Sequence, residues 1–192
     1  MENTEKMKKS TMSTVRMAQI AVSAVIIAIC AWITVPLGAI PFTLQTFGFF
    51  LVTVVLGWQD GLFAILLYLL LGAVGIPVFS GMKGGIGVLF GTTGGYLIGA
   101  AAIPLLYGLM TRMLGKKMIP EALGLFLGDV VVFVFGTVWF IIVYSSTKGA
   151  VTVSDALAWC VIPFIIPDLA KLVVALVIGR RVEKALGGYT KN

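Results

Sequence analysis

Apolar runs close to 20 residues long recur from one end of this chain to the other. That is the length an α-helix needs to cross the hydrocarbon core of a bilayer, and few soluble folds survive such a pattern. Six spans are expected, near Val15–Val35, Thr46–Trp58, Leu62–Val74, Gly94–Met110, Ala122–Tyr144 and Leu157–Gly179. Composition agrees: 59% of the 192 residues are hydrophobic and 11% are charged. A soluble domain could not keep that much apolar surface from water. The fold class expected is all-α, a polytopic membrane protein with six transmembrane helices forming a single domain over residues 1–192.

The net charge of +6 does not mark a nucleic-acid surface, because the basic residues sit at the ends of the apolar runs. Lys6, Lys8, Lys9 and Arg16 precede the first span. Arg112, Lys116 and Lys117 lie between the fourth and fifth, and Arg180, Arg181, Lys184 and Lys191 follow the sixth. The segments on the opposite side carry only Lys83 and Lys148. By the positive-inside rule both termini are cytoplasmic, which requires an even number of crossings. The basic start resembles a signal peptide, but the apolar run is too long and no small-residue cleavage site follows, so a retained first helix is expected. The last six residues, GGYTKN, read as a frayed tail. Cys30 and Cys160 lie in separate apolar runs and suggest neither a disulfide framework nor a metal site.

Two outer-side segments are unusual. VPLGAIPFTLQTF, Val35 to Phe47, combines Pro36, Gly38 and Pro41 with the polar side chains of Thr43, Gln45 and Thr46. The second, Gly75 to Leu97, is apolar, rich in glycine and holds Lys83 as its one charge. Irregular hydrophobic backbone is tolerated at membrane depth when it is buried in protein or lines a cavity. Both segments therefore read as lids over one outward-facing pocket.

FIIPDLAKLVV places Asp168 and Lys171 near the middle of the sixth span. An ionised group there costs about 2.5–3.5 kcal/mol on insertion scales, so a partner is required. The i, i+3 spacing puts both on one helical face, where they can pair or grip a ligand together. Pro163 and Pro167 precede them, and Pro167 is expected to break the helix and free polar backbone beside the charges. Asp129, on the fifth span, falls at a depth similar to Lys171 and is an alternative, structural partner for it. Tyr96, after Thr92 and Thr93, opens the fourth span with a flat face and a polar tip. On the first span Ala24 and Ala28 form a small-xxx-small pair, with Ala18 and Ala21 nearby; such a face suits close packing within the chain or against a partner helix.

There is no histidine, no Walker A sequence, no HExxH and no nucleophile elbow. An enzyme is not expected, and neither a catalytic residue, a metal nor a cofactor is assigned.

IPFTLQTF after the first helix, GTTGGYLIG opening the fourth and PDLAKL in the sixth resemble, in that order, the BioY family. This family comprises the biotin-specific substrate-binding (S) components of energy-coupling factor (ECF) transporters. The chain departs at Thr92, where many members carry proline. The resemblance implies a six-helix subunit that binds biotin from outside and associates with a transmembrane coupling protein and two cytoplasmic ATPases. It implies that Ala24 and Ala28 meet the coupling protein and that Asp168 and Lys171 belong to the biotin pocket. Tyr96 would pack the thioether ring, while Thr43, Gln45 and Lys83 would meet the carboxylate tail; Lys171 holding that carboxylate instead is the alternative end-assignment. A bacterial inner membrane is the expected location. An S component for another vitamin, or a stand-alone proton-coupled transporter, are the alternative functions.

Overall fold

The computed structural model describes residues 13–36 and 40–186. Lys6, Lys8, Lys9, Gly38, Lys191 and the expected frayed tail lie outside the described residues. The elements are α1 (Thr14–Trp32), β1 (Thr34–Val35), β2 (Phe42–Thr43), α2 (Gln45–Ala73), α3 (Ile86–Leu89), α4 (Gly94–Gly99), α5 (Ala102–Leu114), α6 (Met118–Thr147), α7 (Val153–Cys160) and α8 (Ile162–Leu186). Five stretches are long and apolar enough to cross a membrane: α1, α2, α4 with α5, α6, and α7 with α8.

Six spans were expected, and the difference lies in α2. At Gly57 the backbone takes φ 80° and ψ 177°, a conformation essentially restricted to glycine. Beyond it the chain reverses. The Gln45 amide nitrogen donates to the Tyr68 hydroxyl at 2.9 Å, and the Phe49 and Tyr68 rings lie 6.0 Å apart. In a straight helix residues 45 and 68 would be separated by about 34 Å. Thus α2 is a helical hairpin whose arms, 45–56 and 58–73, occupy the places of the second and third expected spans. The arms measure roughly 18 and 24 Å, short of the ~30 Å hydrocarbon core, which leaves room for irregular chain above them. Gly57→Ala has free space around its new methyl group and meets backbone strain alone. It is expected to cost about 1–3 kcal/mol, seen as a lower thermal midpoint in detergent with ligand affinity unchanged.

Charged contacts gather the helix ends at one face. Arg16, in the first turn of α1, grips Asp60 at the α2 reversal through Nε at 2.8 and 2.9 Å and Nη2 at 2.6 Å. Lys116, between α5 and α6, pairs with Glu183 of α8. Arg180 lies 3.5 Å from buried Glu121 at the start of α6, which also accepts from the Tyr107 hydroxyl at 3.2 Å. Both ends of the described chain therefore lie on one face, together with most of its basic residues.

The opposite face carries the connectors. β1 and β2 form a two-residue antiparallel ladder, Thr34 opposite Thr43 and Val35 opposite Phe42. The glycine-rich segment folds into a turn closed by a Phe79–Lys83 bridge and then the short helix α3. The two segments touch: Trp32 Nε1 donates to the Pro77 carbonyl at 2.8 Å, and the Thr34 and Ser80 hydroxyls lie 3.1 Å apart.

Two expectations need correction. Ala24 and Ala28 are 1% and 3% exposed and belong to the chain's own core with Ile27, Phe50 and Ile65. They face inward because small residues admit a neighbouring helix, and the neighbour is within this chain. The outward small residues of α1 are Ala18 and Ala21. Likewise the last span breaks at Val161, between α7 and α8, and not at Pro167. Pro163 stands in the first turn of α8, where its missing N–H has no helical partner to lose. Pro167 is accommodated within the helix.

Candidate functional site

Asp168 and Lys171 sit one turn apart on α8 and are 4% and 8% exposed. Lys171 Nζ donates to Asp168 Oδ1 at 2.6 Å, to the Thr43 carbonyl at 2.7 Å and to Thr46 Oγ1 at 3.0 Å. These three bonds use all the hydrogens of an ammonium group. The Thr46 hydroxyl donates to the same Asp168 Oδ1 at 3.0 Å, closing a ring of three side chains. The Phe42 ring lies 4.2 Å from Nζ, near enough for a cation–π contact. Two residues of β2 and the first turn of α2 are thereby fastened to the middle of α8.

The Asp129–Lys171 pair allowed by depth does not form. Asp129 is 6% exposed, and its Oδ1 is fully buried with no hydrogen-bond partner among the described residues.

Above this cluster is a cavity of about 510 Å³, within the size range of small-molecule sites. Asp168, Lys171, Tyr96, Thr43, Gln45 and Lys83, the six candidate ligand contacts, all line it. Its walls are apolar, with Phe79, Val88, Leu97, Val132, Phe133 and Phe164, and its deep polar groups come from α2, α6 and α8. No group of three or more His, Cys, Asp or Glu side chains able to hold a metal occurs among the described residues.

The buried candidates are held by neighbours. Gln45 is buried, with its amide oriented by Tyr68. The Tyr96 hydroxyl lies 3.0 Å from Thr137 Oγ1, and its ring rests on Gly136 of α6 so closely that a Cβ there would come within 2.2 Å of Cδ1. Trp139, one turn along α6, donates Nε1–H to the Gly91 carbonyl at 2.9 Å and anchors the glycine-rich lid. Lys83 is exposed near the mouth. Removing the Tyr96 hydroxyl in Tyr96→Phe leaves the ring in place and deletes one neutral hydrogen bond. A stability loss of about 0.5–1.5 kcal/mol is expected, checked by thermal unfolding.

Sequence reasoning missed Lys148, which also lines the cavity from the end of α6. Its signal was available: Lys148 and Lys83 are the only basic residues assigned to the outer side. Phe42 and Trp139 were missed as well, and Thr46, read as a polar group of the first lid, was not expected to bond to the α8 pair. They act through residues far away in the chain, and the sequence carries no record of those distances.

Comparison with known proteins sharpens the reading. Residues 4–188 match the model of the BioY family. The chain is 37% identical over 172 residues to the biotin transporter BioY2 of Lactococcus lactis subsp. cremoris, covering 90% of this chain and 92% of that one. It is 40% identical over 159 residues to the biotin transporter BioY of Thermotoga maritima, covering 83% and 90%. Its fold is similar to the crystal structure of the S-component for biotin from an ECF-type ABC transporter, with a TM-score of 0.79, 25% identity, and 91% and 95% of the two chains covered. A match across almost the whole chain, with a lidded cavity built over the charged pair of α8, places this protein in the BioY family.

Proposed function

We propose that this chain is the S component of an ECF-type importer, which captures biotin on one side of the membrane and passes it on through an ATP-driven module. The observation that carries the reading is the buried Asp168–Lys171–Thr46 ring at the base of a lidded cavity, in a chain of this family.

Biotin's chemistry suits the cavity. Its ureido ring has two N–H donors and one carbonyl acceptor, its thioether ring is apolar, and its tail ends in a carboxylate. Asp168 Oδ2 takes no part in the ring and is the acceptor for a ureido N–H. A carboxylate acceptor makes a charge-assisted hydrogen bond, stronger than a neutral one. Lys171 holds that carboxylate in position, and donates to the ureido oxygen by exchanging one of its present acceptors. The Tyr96 ring and the apolar walls pack the thioether. With Lys171 spent at the base, Lys83 and Lys148 at the mouth are the cations for the tail, and Thr43 and Gln45 lie on the path between.

The basic face, with Arg16, Arg112, Lys116, Lys117, Arg180, Arg181 and Lys184, supports an orientation with both termini cytoplasmic in a bacterial cell membrane. No Walker sequence occurs in the chain, so ATP is hydrolysed by its partners, a transmembrane coupling protein and two cytoplasmic ATPases. The coupling complex then turns the whole subunit so that the lidded face meets the cytoplasm. Labelling single cysteines placed at lid positions checks this step; exposure that does not change with ATP on the partner would contradict it.

Calorimetric titration of the purified chain with biotin and biotin methyl ester is the direct test. Saturable biotin binding is expected. The ester should bind more weakly, by up to about 5-fold for each lysine lost to it, since exposed ion pairs are worth roughly 0–1 kcal/mol. That difference should persist in Lys171→Ala and shrink in Lys83→Ala and Lys148→Ala. An ester difference that disappears only in Lys171→Ala would reverse the ligand in the cavity, and a folded chain that ignores biotin would refute the function.

A further inference from the structure

Asp129 is the one carboxyl lining the cavity that the reading above leaves without work. It lies on the inward face of α6 between Leu125 and Val132, which are buried in the core. On its other side is an apolar groove of about 500 Å³ between α6 and α7–α8, lined by residues such as Phe126, Val130, Leu157 and Leu169. Asp129 therefore stands in the wall between a partly polar cavity and a surface facing lipid. Its Oδ1 is buried and without a partner, while the nearby ammonium of Lys171 is saturated by three other acceptors. Leaving a polar group unsatisfied at such a place is costly, and Leu or Val at this position would remove the cost.

We propose that Asp129 is a specificity residue of the cavity, whose carboxyl group accepts the second N–H of a cyclic urea while Asp168 accepts the first. This rests on the reading of biotin as ligand. The two N–H bonds of a cyclic urea point away from each other, so a site that reads both needs acceptors from two directions. α8 supplies Asp168 and α6 supplies Asp129, and both line the one cavity. A cyclic urea seated in the cavity would offer Asp129 a donor that the protein itself does not give its Oδ1.

The test uses the full chain in detergent, titrated with biotin and with biotin methylated at either ureido nitrogen, for the wild type, Asp129→Leu and Asp129→Asn. Thermal unfolding without ligand is recorded for each. Asp129→Leu should weaken biotin by about 2–10-fold, the worth of one hydrogen bond, with the ligand-free midpoint unchanged or raised. Asp129→Asn keeps an acceptor oxygen and should lose less. For the analogue methylated at the nitrogen that faces Asp129, wild type and Asp129→Leu should bind alike. Biotin affinity unchanged in Asp129→Leu would overturn the proposal. So would an equal loss for both methylated analogues together with a lowered midpoint, which marks a packing role. A wild type that does not bind biotin would instead remove the functional reading, and this inference with it.

Discussion

Lys171→Ala is expected to lower biotin affinity by at least about 100-fold and stability by about 3–5 kcal/mol. Removing the ammonium leaves the Asp168 carboxylate 4% exposed, with the Thr46 hydroxyl as its remaining donor among the bonds now formed. It also releases the Thr43 carbonyl, so β2 loses its hydrogen bond to α8 and the start of α2 keeps the Thr46–Asp168 bond alone. The ligand then meets a misplaced acceptor under a loosened lid. Asp168→Asn should be milder for the fold, since the amide still accepts from Lys171. It should nonetheless weaken biotin by about 10-fold or more, because a charge-assisted bond becomes a neutral one.

The double variant Asp168→Leu with Lys171→Met separates fold from function. A buried ion pair replaced by apolar residues of similar size is often neutral or stabilising. Thermal stability near or above wild type is therefore expected, with biotin binding absent in calorimetry. Should the double variant still bind, the pair would be a packing device and the ligand would lie elsewhere in the cavity.

Why this pair could be found from sequence, when others could not, follows from cost. A charge in an apolar run needs a reason to be there, and i, i+3 spacing narrows the reason to one helical face. The two outer segments were legible on similar grounds, since hydrophobic irregular chain has to be covered. Their internal order, a two-residue ladder in one and the short helix α3 in the other, was not visible. Ala24 and Ala28 show the opposite case. A small-residue pair says that something packs closely, but α2 of the same chain and a helix of another protein satisfy it equally well. The break in the last span was misplaced because proline costs little in the first turn of a helix, so Pro163 and Pro167 could not be told apart by type. Asp129 was placed at the right depth, yet depth along two helices carries no information about which way each side chain turns.

Gly136 is where close packing meets the wall of the proposed ligand cavity, and enlarging it is expected to have the second largest effect. The Tyr96 ring lies against this glycine, with Cδ1, Cε1 and Cγ at 2.2, 2.4 and 2.5 Å from where a Cβ would stand. A side chain there must push the ring away, and the ring cannot yield in place. Its hydroxyl is tied to Thr137 on the same helix, and Gly95 beside it packs on Trp139 with no room for a Cβ either. Gly136→Ala should therefore separate α4 from α6 and move the tyrosine into the cavity it lines, at about 1–3 kcal/mol for overpacking. Biotin affinity should fall by about 10–100-fold, because the displaced ring would occupy the space proposed for the thioether. Gly136→Ala combined with Tyr96→Ala restores the space and should recover much of the stability. It should not recover the affinity, because the aromatic surface is gone. A second substitution that rescued binding as well as stability would show that Tyr96 fills the wall without touching the ligand. Equal losses in the single and double variants would show that the clash is relieved elsewhere, by a shift of α6 that the tyrosine does not govern.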